Sequence, residues 1–314
     1  MEQIGKYEVR KKLGEGATSE VYFSPELVAA LETSISDAAG PFRLERATPA
    51  AGGCIHRSYV LEGGGRKFFS KINERSQSES FAAEADGLAA LAAAGVRVPA
   101  PLGRGETRKD AFLVLEYLEL HGNGDYSALG RALAAVHSVQ REDYGWHRDN
   151  YIGATPQLNR RSSSWTDFWR EARLMPQLEL ARKNGLGKAL SRKGEQLAAA
   201  LPQLLAGHAP SASLLHGDLW SGNAGFLAQG APVLFDPAVY RGDREADISM
   251  TELFGGFPRA FYSAYREVAP LDQDYTVRKI LYNLYHVLNH ANLFGGGYAA
   301  QAERMIERLL AEVR

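Results

Sequence analysis

His216-Gly217-Asp218-Leu219-Trp220-Ser221-Gly222-Asn223, followed by Leu234-Phe235-Asp236-Pro237, is the stretch whose reading decides the fold. A kinase catalytic loop carries an aspartate, an asparagine five residues later, and a second aspartate after the next hairpin. Asp218 and Asn223 have that spacing, and Asp236 follows the apolar run Pro232-Val233-Leu234-Phe235. The chemistry explains the layout. Phosphoryl transfer needs a carboxylate to receive the acceptor hydroxyl's proton and hard oxygen ligands to hold magnesium on the phosphates. His-Gly-Asp alone is also what a polar turn before a buried strand looks like. The three residues in register point to a kinase, with Asp218 as base, Asn223 and Asp236 as metal ligands, and ATP with Mg2+ as cofactors.

The chain has 314 residues, enough for two lobes with a core. Its 36 basic and 37 acidic residues give a formal charge of −1, which argues against nucleic acid or an acidic membrane as partner. No apolar run has membrane-spanning length, and the N-terminus lacks a secretory pattern. The single cysteine, Cys54, excludes an intrachain disulfide and a cysteine zinc site. These features predict a soluble, cytoplasmic protein.

Strand-like segments precede helical ones. Residues 1–23 read as strand, glycine turn and strand around Gly14-Glu15-Gly16; Glu26 to Ala38 has helical spacing. Phe42 to Ala47, Ser58 to Leu61, Lys67 to Ile72, Val96 to Pro101 and Ala111 to Leu120 read as strands, and Ser78 or Ser80 caps a helix ended by Gly95. Helical periodicity dominates from Ser127, interrupted by loop-rich stretches near 143–164 and 207–247. This order predicts an α+β, bilobal protein-kinase-like fold with a β-rich N-lobe and a mainly helical C-lobe. The expected division is 1–23 as an appended hairpin segment, 24–120 as the N-lobe and 121–314 as the C-lobe.

A kinase also needs a strand lysine for the α- and β-phosphates and a helix glutamate to hold it. Lys71 in Phe68-Phe69-Ser70-Lys71-Ile72 and Glu84 in Phe81-Ala82-Ala83-Glu84 fit, although either alone reads equally as a solvated charge. The strand Phe112 to Leu118 ends as a hinge would, with the Glu116 carbonyl and the Leu118 amide offered to adenine. Two glycine turns compete to cover the phosphates. Gly14-Glu15-Gly16 resembles a protein-kinase hairpin, but Pro25 and a helix follow it where a lysine strand should stand. Gly52-Gly53-Cys54 leads directly into the Lys71 strand and is assigned the role.

These residues resemble the fructosamine/ketosamine-3-kinases, a family within the aminoglycoside-phosphotransferase-like branch of the kinase fold. The resemblance runs from about Phe23 to Arg314. It rests on Gly53-Cys54-Ile55, Asn150-Tyr151-Ile152-Gly153, Thr155-Pro156-Gln157, Leu215 to Asn223 with Trp220, Phe235-Asp236-Pro237-Ala238, Phe254-Gly255-Gly256-Phe257-Pro258 and Leu288-Asn289-His290. Residues 1–23 lie outside the family pattern. The resemblance implies ATP-dependent phosphorylation of the 3-hydroxyl of a ketosamine, a glycated amine, with elimination then freeing the amine. Its bacterial members often prefer ribulosamines or erythrulosamines to fructosamines. Trp220 and His290 are the candidate substrate contacts.

A protein Ser/Thr kinase is the main alternative. Against it, Asp247 follows Asp236 by only 11 residues, which leaves no activation segment, and no Ala-Pro-Glu follows. A pseudokinase is disfavoured by the joint presence of Lys71, Asp218, Asn223 and Asp236. Trp165, Phe168 and Trp169 read as core, and His137 as a buried or capping residue. Asp247 is expected to brace the catalytic loop, with Asp243 and Glu245 facing a cleft or solvent. Cys54, beside His56 and Arg57 in a phosphate-covering loop, is a candidate for a redox-dependent homodimer.

Overall fold

A computed structural model describes residues 20–50 and 56–313, with the backbone of residues 3–4, 7–8 and 11–15 and side chains from Phe23 onward. Gly52, Gly53 and Cys54 lie outside the described residues, and so do the expectations placed on them. The chain divides into two compact units, residues 1–89 with 98–120, and residues 90–97 with 121–314.

In the first unit, β1 (Lys11–Glu15) pairs antiparallel with β2 (Glu20–Phe23). Helix α1 (Pro25–Ala39) follows at once because Ser24 accepts the Leu27 amide and Pro25 is preset for the first turn. Its Leu27, Val28, Leu31 and Ile35 recur at helical spacing and are buried with Leu61, Ile72, Phe112 and Val114. A five-stranded antiparallel sheet carries the unit. Its order is β3 (Arg46–Pro49), β4 (Arg57–Gly63), β5 (Arg66–Glu74), β7 (Asp110–Glu116), β6 (Pro101–Glu106). Gly64 and Gly65 both have positive φ (57° and 73°) between the paired Gly63 and Arg66, as a two-residue hairpin turn requires. Helix α2 (Ser78–Ala93) stands between β5 and β6 in sequence.

Three expected strands differ, and the one expected over Ala111 to Leu120 stops at Glu116. Phe42 and Leu44 are buried, but their amides go to side chains of α1, Ser36 Oγ (3.0 Å) and Glu32 Oε1 (2.9 Å), so the strand starts only at Arg46. Val96 and Val98 are likewise buried, yet Pro99 and Pro101 remove alternate donors and the strand begins at Pro101.

The second unit is mainly helical. Its principal helices are α3 (Tyr126–His137), α4 (Trp165–Trp169), α5 (Met175–Lys183), α6 (Lys188–Leu204), α7 (Glu245–Leu253), α8 (Arg259–Val268), α9 (Tyr275–Phe294) and α10 (Tyr298–Ala311). Trp165, Phe168 and Trp169 are in its core with Tyr282, Leu284 and Leu288 of α9. The two loop-rich stretches contain short ladders: Asn150–Ile152 with Thr155–Gln157, Ala212–Leu215 with Tyr240–Gly242, and Ala224–Phe226 with Pro232–Leu234. The last hairpin is the one between Asn223 and Asp236, so the two residues are returned to the same end of it. Among the described residues, no helix is long and apolar enough to cross a membrane.

Candidate active site

Lys71 sits mid-strand in β5, opposite Ser58 on one side and Leu113 on the other. Its Nζ lies 2.6 Å from Glu84 Oε1 of α2, and the two side chains are only 8% and 11% exposed. Removing one member of such a pair strands a buried charge, which costs about 3–5 kcal/mol. Glu116 closes β7; its amide donates to Ala100 O (2.9 Å) and its Oε2 accepts from Ala100 N (3.3 Å). Leu118 lies in the irregular segment that follows.

In the second unit the buried strand Ala212–Leu215 delivers the chain to His216. Asp247, itself buried, accepts the His216 amide on Oδ2 (2.7 Å) and the Gly217 amide on Oδ1 (2.8 Å). The expected brace is thus present. His137 stands behind it, with Nε2 3.1 Å from Asp247 and Nδ1 2.8 Å from the Tyr265 hydroxyl. Burial works against the Asp247 charge, but His137, His216 and the Gly217 amide hold its carboxyl below the usual range. Gly217 has φ 84°, and a β-carbon there would lie 2.0 Å from Ala238 O, so only glycine fits.

Burial pushes the His216 imidazole below its usual range, against the pull of Asp247 and the Phe235 carbonyl. Its Nδ1 accepts from the Asp218 amide (3.3 Å), which leaves Nε2–H to donate to Phe235 O (2.9 Å). Asn223 ends the short 3-10 turn Ser221–Asn223. Its Nδ2 donates to Asp218 O (2.8 Å) and Oδ2 (3.3 Å), which turns the amide so that Oδ1 is the atom left for a ligand. Asp218, Asn223 and Asp236 are therefore brought together.

Asp236 has φ 54°, and among the described residues it is the one non-glycine in the left-handed region. That conformation costs on the order of 1 kcal/mol. Hydrogen bonds at about 1 kcal/mol each hold the neighbouring backbone and outweigh the cost: Phe235 N to Asn223 O (3.1 Å), Ala238 N to His216 O (2.8 Å), and the His216 bond above. The Asp236 carboxylate and Asn223 Oδ1 offer the hard oxygens that suit magnesium. Burial and the adjacent Asp236 carboxylate push Asp218 up to about 7, and the Asn223 bond lowers it. Asp218 keeps some exposed surface, so the Asp236 charge is the cause most open to change by a cation.

Trp220 projects from the same loop, 38% exposed. Gly222 gives it room: a β-carbon at Gly222 would lie 2.4 Å from the indole. The Trp220 ring stands 6.2 Å from Phe254, which stands 4.9 Å from His290, so both candidate substrate residues join one aromatic group. His290 Nδ1 donates to His286 O (2.8 Å), leaving its Nε2 edge for other partners.

Asp243 and Glu245 depart from expectation: both are buried rather than facing cleft or solvent. Tyr282 and His208 hold Asp243 (2.5 and 2.6 Å), and Arg278 grips Glu245 through two nitrogens (2.6 and 2.9 Å). Both Glu245 oxygens meet Arg278 and Asp243 meets Tyr282, so the group ties α7 and the segment before it to α9. Sequence reasoning also gave no role to Asn150 and Gln157, whose buried side chains reach the Asp236 segment: Asn150 Nδ2 donates to Val239 O (2.7 Å) and Gln157 Nε2 to Ala238 O (3.1 Å). Their membership of two family motifs was the available signal.

Comparison with known proteins places the chain. The fructosamine kinase family profile matches residues 27–312. A "Probable ketoamine kinase" of Synechocystis sp. is 46% identical over 297 residues, covering 91% of this chain and 98% of that protein. The chloroplastic protein-ribulosamine 3-kinase of Oryza sativa subsp. japonica is 40% identical over 264 residues, covering 82% and 77%. The crystal structure of a "Putative fructosamine-3-kinase" from Haemophilus somnus superposes with a TM-score of 0.83 at 30% identity, covering 89% and 96%. The fold alone is shared more widely, as with the aminoglycoside phosphotransferase APH(4)-Ia (TM-score 0.58, 16% identity, covering 92% and 99%). With the bilobal kinase-like fold and the Asp218 loop already in place, the chain belongs to the fructosamine kinase family.

Proposed function

We propose that this protein is an ATP-dependent ketosamine 3-kinase of the ribulosamine or fructosamine type. The observation that carries the reading is the grouping of Asp218, Asn223 and Asp236 on a loop braced by Asp247, in a chain of this family. Asp218 takes the proton of the 3-hydroxyl as that oxygen attacks the γ-phosphorus and ADP departs. Asn223 and Asp236 are assigned to magnesium, which supplies charge neutralisation on the phosphates when bound. In the first unit, Lys71 held by Glu84 is assigned to the α- and β-phosphates, the glycine loop with Gly52, Gly53 and Cys54 to covering them, and Glu116 and Leu118 to adenine. Trp220 and His290 are assigned to the sugar.

The product carries phosphate on C3 beside the C2 carbonyl. Loss of a C1 proton gives the enaminol, which expels inorganic phosphate from C3. Water then hydrolyses the resulting imine, releasing the amine and a deoxy-dicarbonyl sugar. The reading is tested by ADP release with ribulose-lysine, fructose-lysine, or lysine plus free ribose. Release is expected only with the ketosamines; release with protein serine substrates instead would overturn it.

Trp220→Ala should raise the ketosamine KM on the order of tenfold, as loss of an aromatic face does, with the ATP KM within twofold of wild type. A matched rise in both values would remove Trp220 from the sugar site. The pH profile gives a second check. Asp218 acts deprotonated, so kcat/KM should rise with pH up to about 7 and then level. Bound magnesium offsets the Asp236 charge, so raising its concentration should move that limb to lower pH. A limb unmoved by magnesium would contradict the assignment.

A further inference from the structure

The Asp236 segment is held by its carbonyls from two directions. From the catalytic loop, His216 Nε2 reaches Phe235 O (2.9 Å) and Asn223 Nδ2 reaches Asp236 O (3.5 Å). From the motif hairpin Asn150–Gln157, Gln157 Nε2 reaches Ala238 O (3.1 Å) and Asn150 Nδ2 reaches Val239 O (2.7 Å). The two amides are also fixed to each other, Gln157 Nε2 donating to Asn150 Oδ1 (2.8 Å). Ala238 O can only accept, which settles the orientation of the Gln157 amide with its nitrogen toward Ala238, and Gln157 Oε1 then accepts the hydroxyl of Tyr285 on α9 (2.8 Å). Asn150 and Gln157 are 4% and 1% exposed, so no water substitutes for a lost partner at low cost.

We propose that Gln157 and Asn150 are positioning residues that preset the left-handed Asp236 for metal, with Tyr285 orienting the Gln157 amide. The role goes beyond phosphoryl transfer itself but rests on the reading of Asp236 as a metal ligand. Holding the carbonyls that follow Asp236 fixes the backbone torsions on its C-terminal side. The catalytic loop fixes the other side. Metal affinity then reflects a site built before the ligand arrives. The same clamp gives a role to the Asn150-Tyr151-Ile152-Gly153 and Thr155-Pro156-Gln157 motifs, which form the hairpin that places the two amides.

The experiment measures Mn2+ binding by electron paramagnetic resonance, with a non-hydrolysable ATP analogue present, in the full chain. Gln157→Glu keeps the size and the Tyr285 contact but replaces the donor to Ala238 O with an acceptor. It should weaken Mn2+ at least tenfold and lower kcat, with the ketosamine KM within threefold. Tyr285→Phe removes the hydroxyl and keeps the ring, and should weaken Mn2+ two- to fivefold; it serves as the decisive variant if Gln157→Glu does not fold. Wild-type Mn2+ affinity in a folded Gln157→Glu, or in Tyr285→Phe when Gln157→Glu does not fold, overturns the proposal whatever happens to the melting temperature. Asp236→Asn separates the two readings. If it abolishes Mn2+ binding while the Gln157 and Tyr285 variants bind normally, the clamp fails alone. If it binds normally too, the ligand assignment fails with it.

Discussion

Asp218→Asn should lower kcat at least about 100-fold, the usual contribution of a positioned general base, while ATP affinity stays within threefold of wild type. The amide matches the carboxylate in size and can still meet Asn223, but it cannot take a proton. A stability measurement checks the same residue independently of turnover. Asp218 is pushed up to about 7 in the folded chain from an ordinary value of 3.8, so the folded state binds more protons than the unfolded one between those values. Wild-type stability therefore falls as pH rises from about 4 to 7. The asparagine variant lacks that term, so its melting temperature should gain on wild type across this window and keep a constant lead above it. Near-normal turnover, or a gap that narrows as pH rises, would refute the role given to Asp218.

Asp236→Asn should abolish magnesium-dependent tightening of nucleotide binding. Asparagine tolerates the left-handed backbone at φ 54°, so this substitution removes charge without the strain alanine would add. Binding of ATP without metal should be nearly unchanged. Removing the Asp236 charge also removes one of the causes that raise Asp218, so the pH limb of any residual activity should move down, not up. Titrating nucleotide affinity against Mg2+ reads the outcome; an unaltered magnesium dependence would take Asp236 out of the metal site.

Much of this arrangement was legible because phosphoryl transfer ties residue types to fixed spacings. Asp218, Asn223 and Asp236 could be read from one loop and one hairpin, and Asp247 from its short distance beyond them. The Lys71–Glu84 pair followed from the order of strand and helix. What stayed hidden depends on partners distant in sequence. Nothing local to Gln157 indicates that its amide meets Ala238 O and the Tyr285 hydroxyl, because neutral amides carry no charge pattern to complement. Glu245 looked like a solvated acid because Arg278, on another helix, is what makes its burial tolerable. The strand expected at Phe42 failed for a related reason: its alternation was real, but α1 side chains took the amides a neighbouring strand would have used.

Phosphorus NMR of a reaction with ribulose-lysine distinguishes phosphorylation of a ketosamine at the 3-hydroxyl from every other outcome of ATP turnover at this site. One new phosphate ester, coupled to the proton on C3, is expected to form in step with ADP. Its decay should release inorganic phosphate and free lysine in equal amounts. An ester at any other carbon, or no ester while the enzyme hydrolyses ATP, would contradict phosphorylation at the 3-hydroxyl.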